Sequence, residues 1–295
     1  MNKKIIIFLM ILFNSIFISN VKAINKNEIE KGFTNKNGVV MSEENYKKIR
    51  DAIPEEEINY IDKTMYDEIA SSNKIVAYIS IYLKEERIKL YNGTYLYKET
   101  EISPEEYAKS VMYTSYNDVH NTTYKHIHLM ATDKTSKFTF YIQNVWQLPP
   151  ATQSFDVLAF RWSGSATRIT NTENGSQDYY TSPGTVNPPT ISYPSSSSNY
   201  KRFSNGIGLS QNLVGDSSST ANLYYYTNTL SVDVTCSGSV TLYGTYQHAQ
   251  SDLTLNQSKS YTLSSSGLGG VLYYSDSSIR NKYDNTAGLS VTFTC

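Results

Sequence analysis

His126 and His128 stand two residues apart, so on a β-strand both imidazoles project from one face, opposite Ile127 and Leu129. Neutral imidazoles in that arrangement can bind a zinc-type cation. Such a site needs further ligands, and His120, Asp118 and His248 are the donors on offer. No HExxH or comparable spacing accompanies the pair, and two polar side chains on a solvated strand face are the commoner arrangement. The sequence therefore gives no expectation of a metal or other cofactor.

Asp156 and Arg161 interrupt an otherwise apolar run and fall on opposite faces of a strand. Buried, each needs a partner, because an unpaired buried charge costs several kcal/mol. They read either as structural pairs or as ligand anchors at a strand end. Nucleophilic catalysis needs a Ser or Cys beside an oriented base. No G-x-S-x-G occurs, and four histidines leave few bases. Carboxylates are abundant between residues 42 and 106, on helix faces and helix starts where solvated charge explains them. Glycosidase chemistry needs only two acids, so a secreted hydrolase stays open as an alternative.

Tyr224, Tyr226 and Tyr273 sit in two aromatic runs, 223–226 and 272–274, beside Ser, Asn and Thr. Rings that stack while neighbouring hydroxyls and amides hydrogen-bond suit sugar or protein contacts. With 26 tyrosines against 10 phenylalanines, the chain is built for half-wet strand faces. A formal net charge of −1 argues against nucleic acid or an anionic membrane as a general partner. Extracellular glycan, cell wall or protein are the partners this surface chemistry suggests. The sequence leaves the oligomeric state open.

The elements that must position these residues follow a clear order. Residues 1–23 read as a signal peptide: Lys3 and Lys4, an apolar run from Ile5 to Ile18, then Val21-Lys22-Ala23, with cleavage after Ala23. That implies a secreted protein and an oxidising exterior. Cys236 and Cys295 each end a similar alternating run, LSVDVTC and LSVTFTC, which predicts a disulfide tying the last strand into a sheet. Residues 24–72 form a polar lead and a helical segment. Ser42 caps one helix with Tyr46, Ile49 and Ile53 on one face. Pro54-Glu-Glu-Glu starts another with Ile58, Ile61, Met65 and Ile69 in a stripe. This pair is expected to cover an edge or end of the β region.

Residues 73–170 read as the central β core with one short helix capped by Ser103. Asn92-Gly93 predicts a type I′ hairpin turn. The centre is Lys137 to Trp162, two apolar strands around Pro149-Pro150 that carry both tryptophans, Trp146 and Trp162. Residues 171–200, rich in Pro and Ser, read as an irregular connection. Residues 201–295 read as an antiparallel β region, with a turn at Ser237-Gly238. The fold class is therefore mainly β: antiparallel, sandwich- or barrel-like, with a small N-terminal helical segment.

The motif Trp146-Gln-Leu-Pro149 followed by Ser154-Phe-Asp-Val-Leu-Ala-Phe-Arg-Trp162, with the Gly38–Tyr46 helix start, resembles a cassette of secreted proteins of Gram-positive bacteria. The resemblance implies an exported bacterial protein and brings no active site with it. The first alternative, ahead of the hydrolase, comes from residues 230–250, where Val and Leu alternate with Ser, Thr and Asp. Such amphipathic hairpins build β-barrel pores, although a soluble sandwich strand has the same period. Membrane contact is expected only on that pore-forming reading. The balance favours a secreted, non-catalytic binding or surface-interaction protein.

Overall fold

The computed structural model describes residues 32–113, 122–147, 150, 152–182, 185–213, 225–264, 271–284 and 288–295. The expected signal segment, its cleavage point, Asp118, His120 and Tyr224 lie outside the described residues.

The chain is mainly β and every strand pairing is antiparallel. A short ribbon, β1 (Phe33–Thr34) and β2 (Val40–Met41), leads into α1 (Glu43–Arg50), α2 (Glu55–Ile58) and α3 (Lys63–Ala70). Ser42 caps α1 by accepting from the Asn45 N–H, and Asp62 caps α3 through the Met65 N–H. The second helical stretch is thus broken in two by its own internal cap. Then come β3 (Lys74–Lys89), β4 (Tyr95–Ile102), α4 (Pro104–Tyr113), β5 (Thr122–Asp133), β6 (Phe138–Trp146) and β7 (Phe155–Arg168). They are followed by β8 (Asn174–Ser182), β9 (Thr185–Pro194), β10 (Tyr200–Phe203), β11 (Gly206–Asn212) and β12 (Tyr225–Gln247). The chain ends with α5 (Leu255–Ser258), β13 (Thr262–Leu263), β14 (Leu272–Tyr273), α6 (Ser277–Arg280) and β15 (Leu289–Thr294).

The ladder is organised by β12. Its first half pairs with β6 on one edge and β8 on the other; its second half pairs with β15 and β7. The strand is bulged between Ser237 and Val240. Gly238 (φ +66) and Gly164 opposite (φ +94) supply the left-handed backbone there, and a Cβ on Gly164 would meet the Ser239 carbonyl. The expected turn at Ser237-Gly238 is therefore a bulge inside one continuous strand. The amphipathic hairpin imagined for membrane insertion is a single strand, hydrogen-bonded along both edges. Cys236 and Cys295 are joined, which locks β15 beside that bulge.

The two aromatic strands at the centre do not pair with each other. β6 joins the layer of β3 and β5, whereas β7 joins that of β11. Phe140 of β6 instead meets Phe160 and Trp162 of β7 edge-on, ring to ring across the core. β6 ends at Trp146 and the chain crosses to the other layer, where β7 begins at Phe155. Trp146 and Trp162 are both buried. Residues 171–200 also differ from expectation: β8 and β9 form a hairpin through them. Pro188, Pro189 and Pro194 sit in β9, which among the described residues pairs only with β8, so a missing N–H on its other edge is tolerated.

The three N-terminal helices cover a sheet face rather than an edge. Tyr46, Ile49, Ile58, Ile61, Met65 and Ile69 pack on Ile75, Met130 and Tyr141. The β3–β4 turn is also not type I′. Only Gly93 has positive φ, and its N–H reaches the Leu90 carbonyl at 3.0 Å. That is a longer loop closed by a left-handed glycine.

Candidate functional site

Alternation along β5 sends neighbouring residues to opposite faces. Lys125, Ile127 and Leu129 face the core between the layers, while His126, His128 and Met130 face the helical cap. Each face carries a buried polar centre.

Under the cap, Glu57 of α2 comes down beside the two histidines. The expected solvated face is not there, since both imidazoles are fully buried. Ser80 and Tyr78 of β3 lie alongside: the Ser80 hydroxyl donates to Glu57 Oε1, and Tyr78 donates to Oε2 at 2.5 Å. Tyr78 Oη is also 2.7 Å from His128 Nδ1. His126 Nε2 is 3.2 Å from Glu57 Oε2 but is not directed for a hydrogen bond. The two imidazole centroids are 3.7 Å apart, and Tyr82 stacks on His126 at 3.8 Å. Burial pushes both imidazoles below their usual range, His128 furthest because His126 adjoins it. Burial would raise Glu57, but the contact with His126, the charge of both rings and the Ser80 bond draw it down to about 2. With the rings uncharged at neutral pH, the hydroxyls of Ser80 and Tyr78 hold that carboxylate ionised.

On the core face, Lys125 is the hub. Its Nζ is bonded to Asp284 and paired with Glu99, and Glu85 adds to its field. Burial alone would lower the ammonium; these three carboxylates raise it well above the ordinary lysine range. Burial pushes Asp284 up to about 7 against the pull of Lys125, with Glu99 and Glu85 adding to the rise. Asp284 Oδ1 also accepts the His248 N–H at 3.0 Å. His248 Nδ1 is 3.0 Å from Asp156 Oδ2. Burial would lower that imidazole, but Asp156 and Glu85 raise it to about 9. Tyr246 donates to Asp156 and accepts the Trp146 indole N–H at 2.7 Å.

This knot floors a cavity of about 380 Å³ lined by Leu83, Tyr97, Lys98, Glu99, Glu101, Gln250, Tyr283 and Asp284. Beyond it the β3–β4 hairpin carries exposed Ile88, Leu90, Tyr91, Tyr95 and Leu96.

The sequence-level candidates scatter. Asp156 is buried in the knot as an acceptor for Tyr246, His248 and the Ala249 N–H. Arg161 lies on the opposite face, its guanidinium 4.0 Å from the Tyr243 ring centroid. Tyr226, expected at a ligand surface, is instead buried between Trp146 and Tyr179, because its inward register opposite Trp146 puts it in the core. Tyr273 is exposed on β14, outside the cavity lining. His248 belongs to the knot and is not brought to His126 and His128. Glu57, Lys125, Glu99 and Asp284 are the residues that sequence reading missed. Lys125 had a signal, sharing the period-two face of Ile127 and Leu129. Glu57 had a weaker one, four residues before Ile61 in the helical stripe. Asp284 had none.

Fold and site together define a disulfide-closed antiparallel β protein with two buried polar centres on one strand, one of them flooring a cavity. No helix among the described residues is long and apolar enough to cross a membrane. Comparison with protein-family models and with curated proteins finds no match. Among solved structures, the chain is similar to the collagen-binding domain from a Staphylococcus aureus adhesin, with 6% identity over 62% of this chain and 93% of that one, at a TM-score of 0.26. It is also similar to the pilus backbone RrgB from Streptococcus pneumoniae, with 10% identity over 53% of this chain and 40% of that one, at 0.24. Similarity at that level carries no argument, so the functional reading rests on the site.

Proposed function

We propose that this is an exported, non-catalytic binding protein whose ligand is an extracellular or cell-wall glycan seated in the cavity above the Lys125 knot. The cavity lining carries the reading. Tyr97 and Tyr283 offer ring surface, while Gln250, Glu99 and Glu101 offer an amide and carboxylates to hydroxyl groups. Export is supported by the signal-like leader, by the resemblance of the Trp146–Trp162 cassette to secreted Gram-positive proteins, and by the disulfide, which persists in an oxidising compartment.

A hydrolase reading has one observation in its favour, the Asp284 carboxyl pushed to about 7 beside Glu99. Against it, both Asp284 oxygens are already committed, one to Lys125 and one to the His248 N–H. That is the geometry of a floor, not of an acid poised over a substrate.

The test is retention on immobilised cell-wall glycans. Wild-type protein is expected to bind, and Tyr97→Ala and Glu101→Gln each to weaken binding roughly tenfold, the loss of one good contact. Absence of retention, or retention indifferent to both changes, rejects the cavity as the site. Release of reducing sugar that Glu99→Gln abolishes would favour the hydrolase.

A further inference from the structure

We propose that Glu57, His126 and His128 form a binding site for a zinc-type divalent cation, which clamps the N-terminal helices onto the sheet. This departs from the cofactor-free expectation of the sequence and is independent of the cavity.

Three observations carry it. First, one carboxylate oxygen of Glu57 and one ring nitrogen from each histidine lie within 4.8 Å of one another, and all three side chains are buried. A zinc ion about 2.0–2.1 Å from each donor places tetrahedral ligand atoms roughly 3.3 Å apart. The His126 Nε2–Glu57 Oε2 separation is 3.2 Å, and His128 Nδ1 at 4.0 Å from the same oxygen needs only a small approach. Second, one donor is left wanting. Neither nitrogen of His126 has a hydrogen-bond partner among the described residues, while His128 Nδ1, the nitrogen nearer Glu57, has only the Tyr78 hydroxyl at 2.7 Å. Buried polar atoms without partners are costly, and a cation that takes a lone pair from His126 Nε2 removes part of that cost. Third, the surroundings are those of an oriented ligand set. Ser80 fixes the other oxygen of Glu57, and Tyr78 Oη lies beside both Oε2 and His128 Nδ1, where it can serve as a fourth donor or hold the carboxylate. Two imidazoles and one carboxylate is a donor set that suits zinc and its first-row neighbours better than magnesium or calcium.

The contrast with Glu85, Glu99 and Asp284 sharpens the choice. Their oxygens also converge, but the Lys125 ammonium already sits among them as the cation. The rings of Tyr60, Tyr82 and Tyr107 surround His126, so the ion enters as the helices dock.

The test refolds the full chain with cobalt(II) as probe or with chelator, then removes unbound metal. The proposal expects stoichiometric cobalt by elemental analysis, intense visible bands of a tetrahedral nitrogen–oxygen site, displacement by zinc, and a higher thermal midpoint than the chelated protein. Glu57→Gln and His128→Gln, checked for fold by circular dichroism, should lose the bands. If both variants fail to fold, wild-type stoichiometry and midpoint decide. Folded wild-type protein that holds no cobalt and melts identically with and without metal overturns the proposal. So does cobalt retained unchanged in the folded variants, since the ion then sits elsewhere.

Discussion

Lys125 and His126 are adjacent on β5, yet they feed two buried centres of opposite character. On the core side the protein supplies its own cations, Lys125 and His248, to a group of carboxylates: Lys125 Nζ meets Glu99 and Asp284, and His248 Nδ1 meets Asp156. On the cap side a carboxylate stands against two uncharged rings, and neither nitrogen of His126 has a partner among the described residues. Both centres rest on the same strand and are buried apart from Glu99, which is partly exposed at the cavity, so burial alone does not separate them. What separates them is whether the counter-charge is covalently part of the chain. A self-neutralised centre can be a rigid floor; one that lacks a cation is suited to acquire it.

The largest break in this contrast is Lys125→Met. It leaves Asp284, Glu99 and Glu85 converging without their ammonium, and removing one partner of a buried ion pair costs about 3–5 kcal/mol. Urea unfolding should show that loss or a chain that does not fold.

Next is the disulfide, remote from both centres. Cys236→Ser with Cys295→Ser should cost about 2–4 kcal/mol in chemical unfolding, while cobalt uptake stays intact.

The pH response is third. His248 holds its proton to about 9 in the fold and to 6.5 when free. The folded chain therefore binds more protons between those values, so stability is complete below pH 6.5 and falls as pH rises through 9. The fall should be on the order of 2–3 kcal/mol and absent in a folded His248→Asn variant. Asp284 and Asp62, both raised to about 7 by burial, act in the same direction from pH 4 to 7. The depressed His126 and His128 oppose them up to pH 6.5. The window from 8 to 9, above the titration of both acids, is accordingly the clean one for equilibrium unfolding.

Ser80→Ala comes fourth. It removes one donor from the Glu57 carboxylate and should cost about 1.5–2 kcal/mol in metal-free protein, measured by the same unfolding curves. Tyr91→Ser, at the exposed hairpin tip, should stay within about 0.5 kcal/mol and calibrates the series.

Local signals were legible. The Ser42 cap, the stripe from Tyr46 to Ile69, the aromatic strands around Trp146 and Trp162, and the Cys236–Cys295 pairing all follow from period and composition. Pairing partners were not. Alternation says that β6 and β7 are strands, but not that β12 separates them or that their rings meet across the layers. A proline-rich stretch reads as a loop unless one knows that β9 pairs along a single edge. The site was half visible. The H-x-H pair stood out, but its carboxylate lay in a run of three glutamates that a solvated helix start explains equally well. The ring of acids about Lys125 is assembled from β3, β4 and the segment after α6, which no local window spans.

The most direct measurement is the titration of the imidazoles by nitrogen-15 NMR in metal-free protein. The two-centre account predicts His248 protonated at pH 7, with His126 and His128 neutral there. Neutral His248 beside charged His126 or His128 at pH 7 would contradict it.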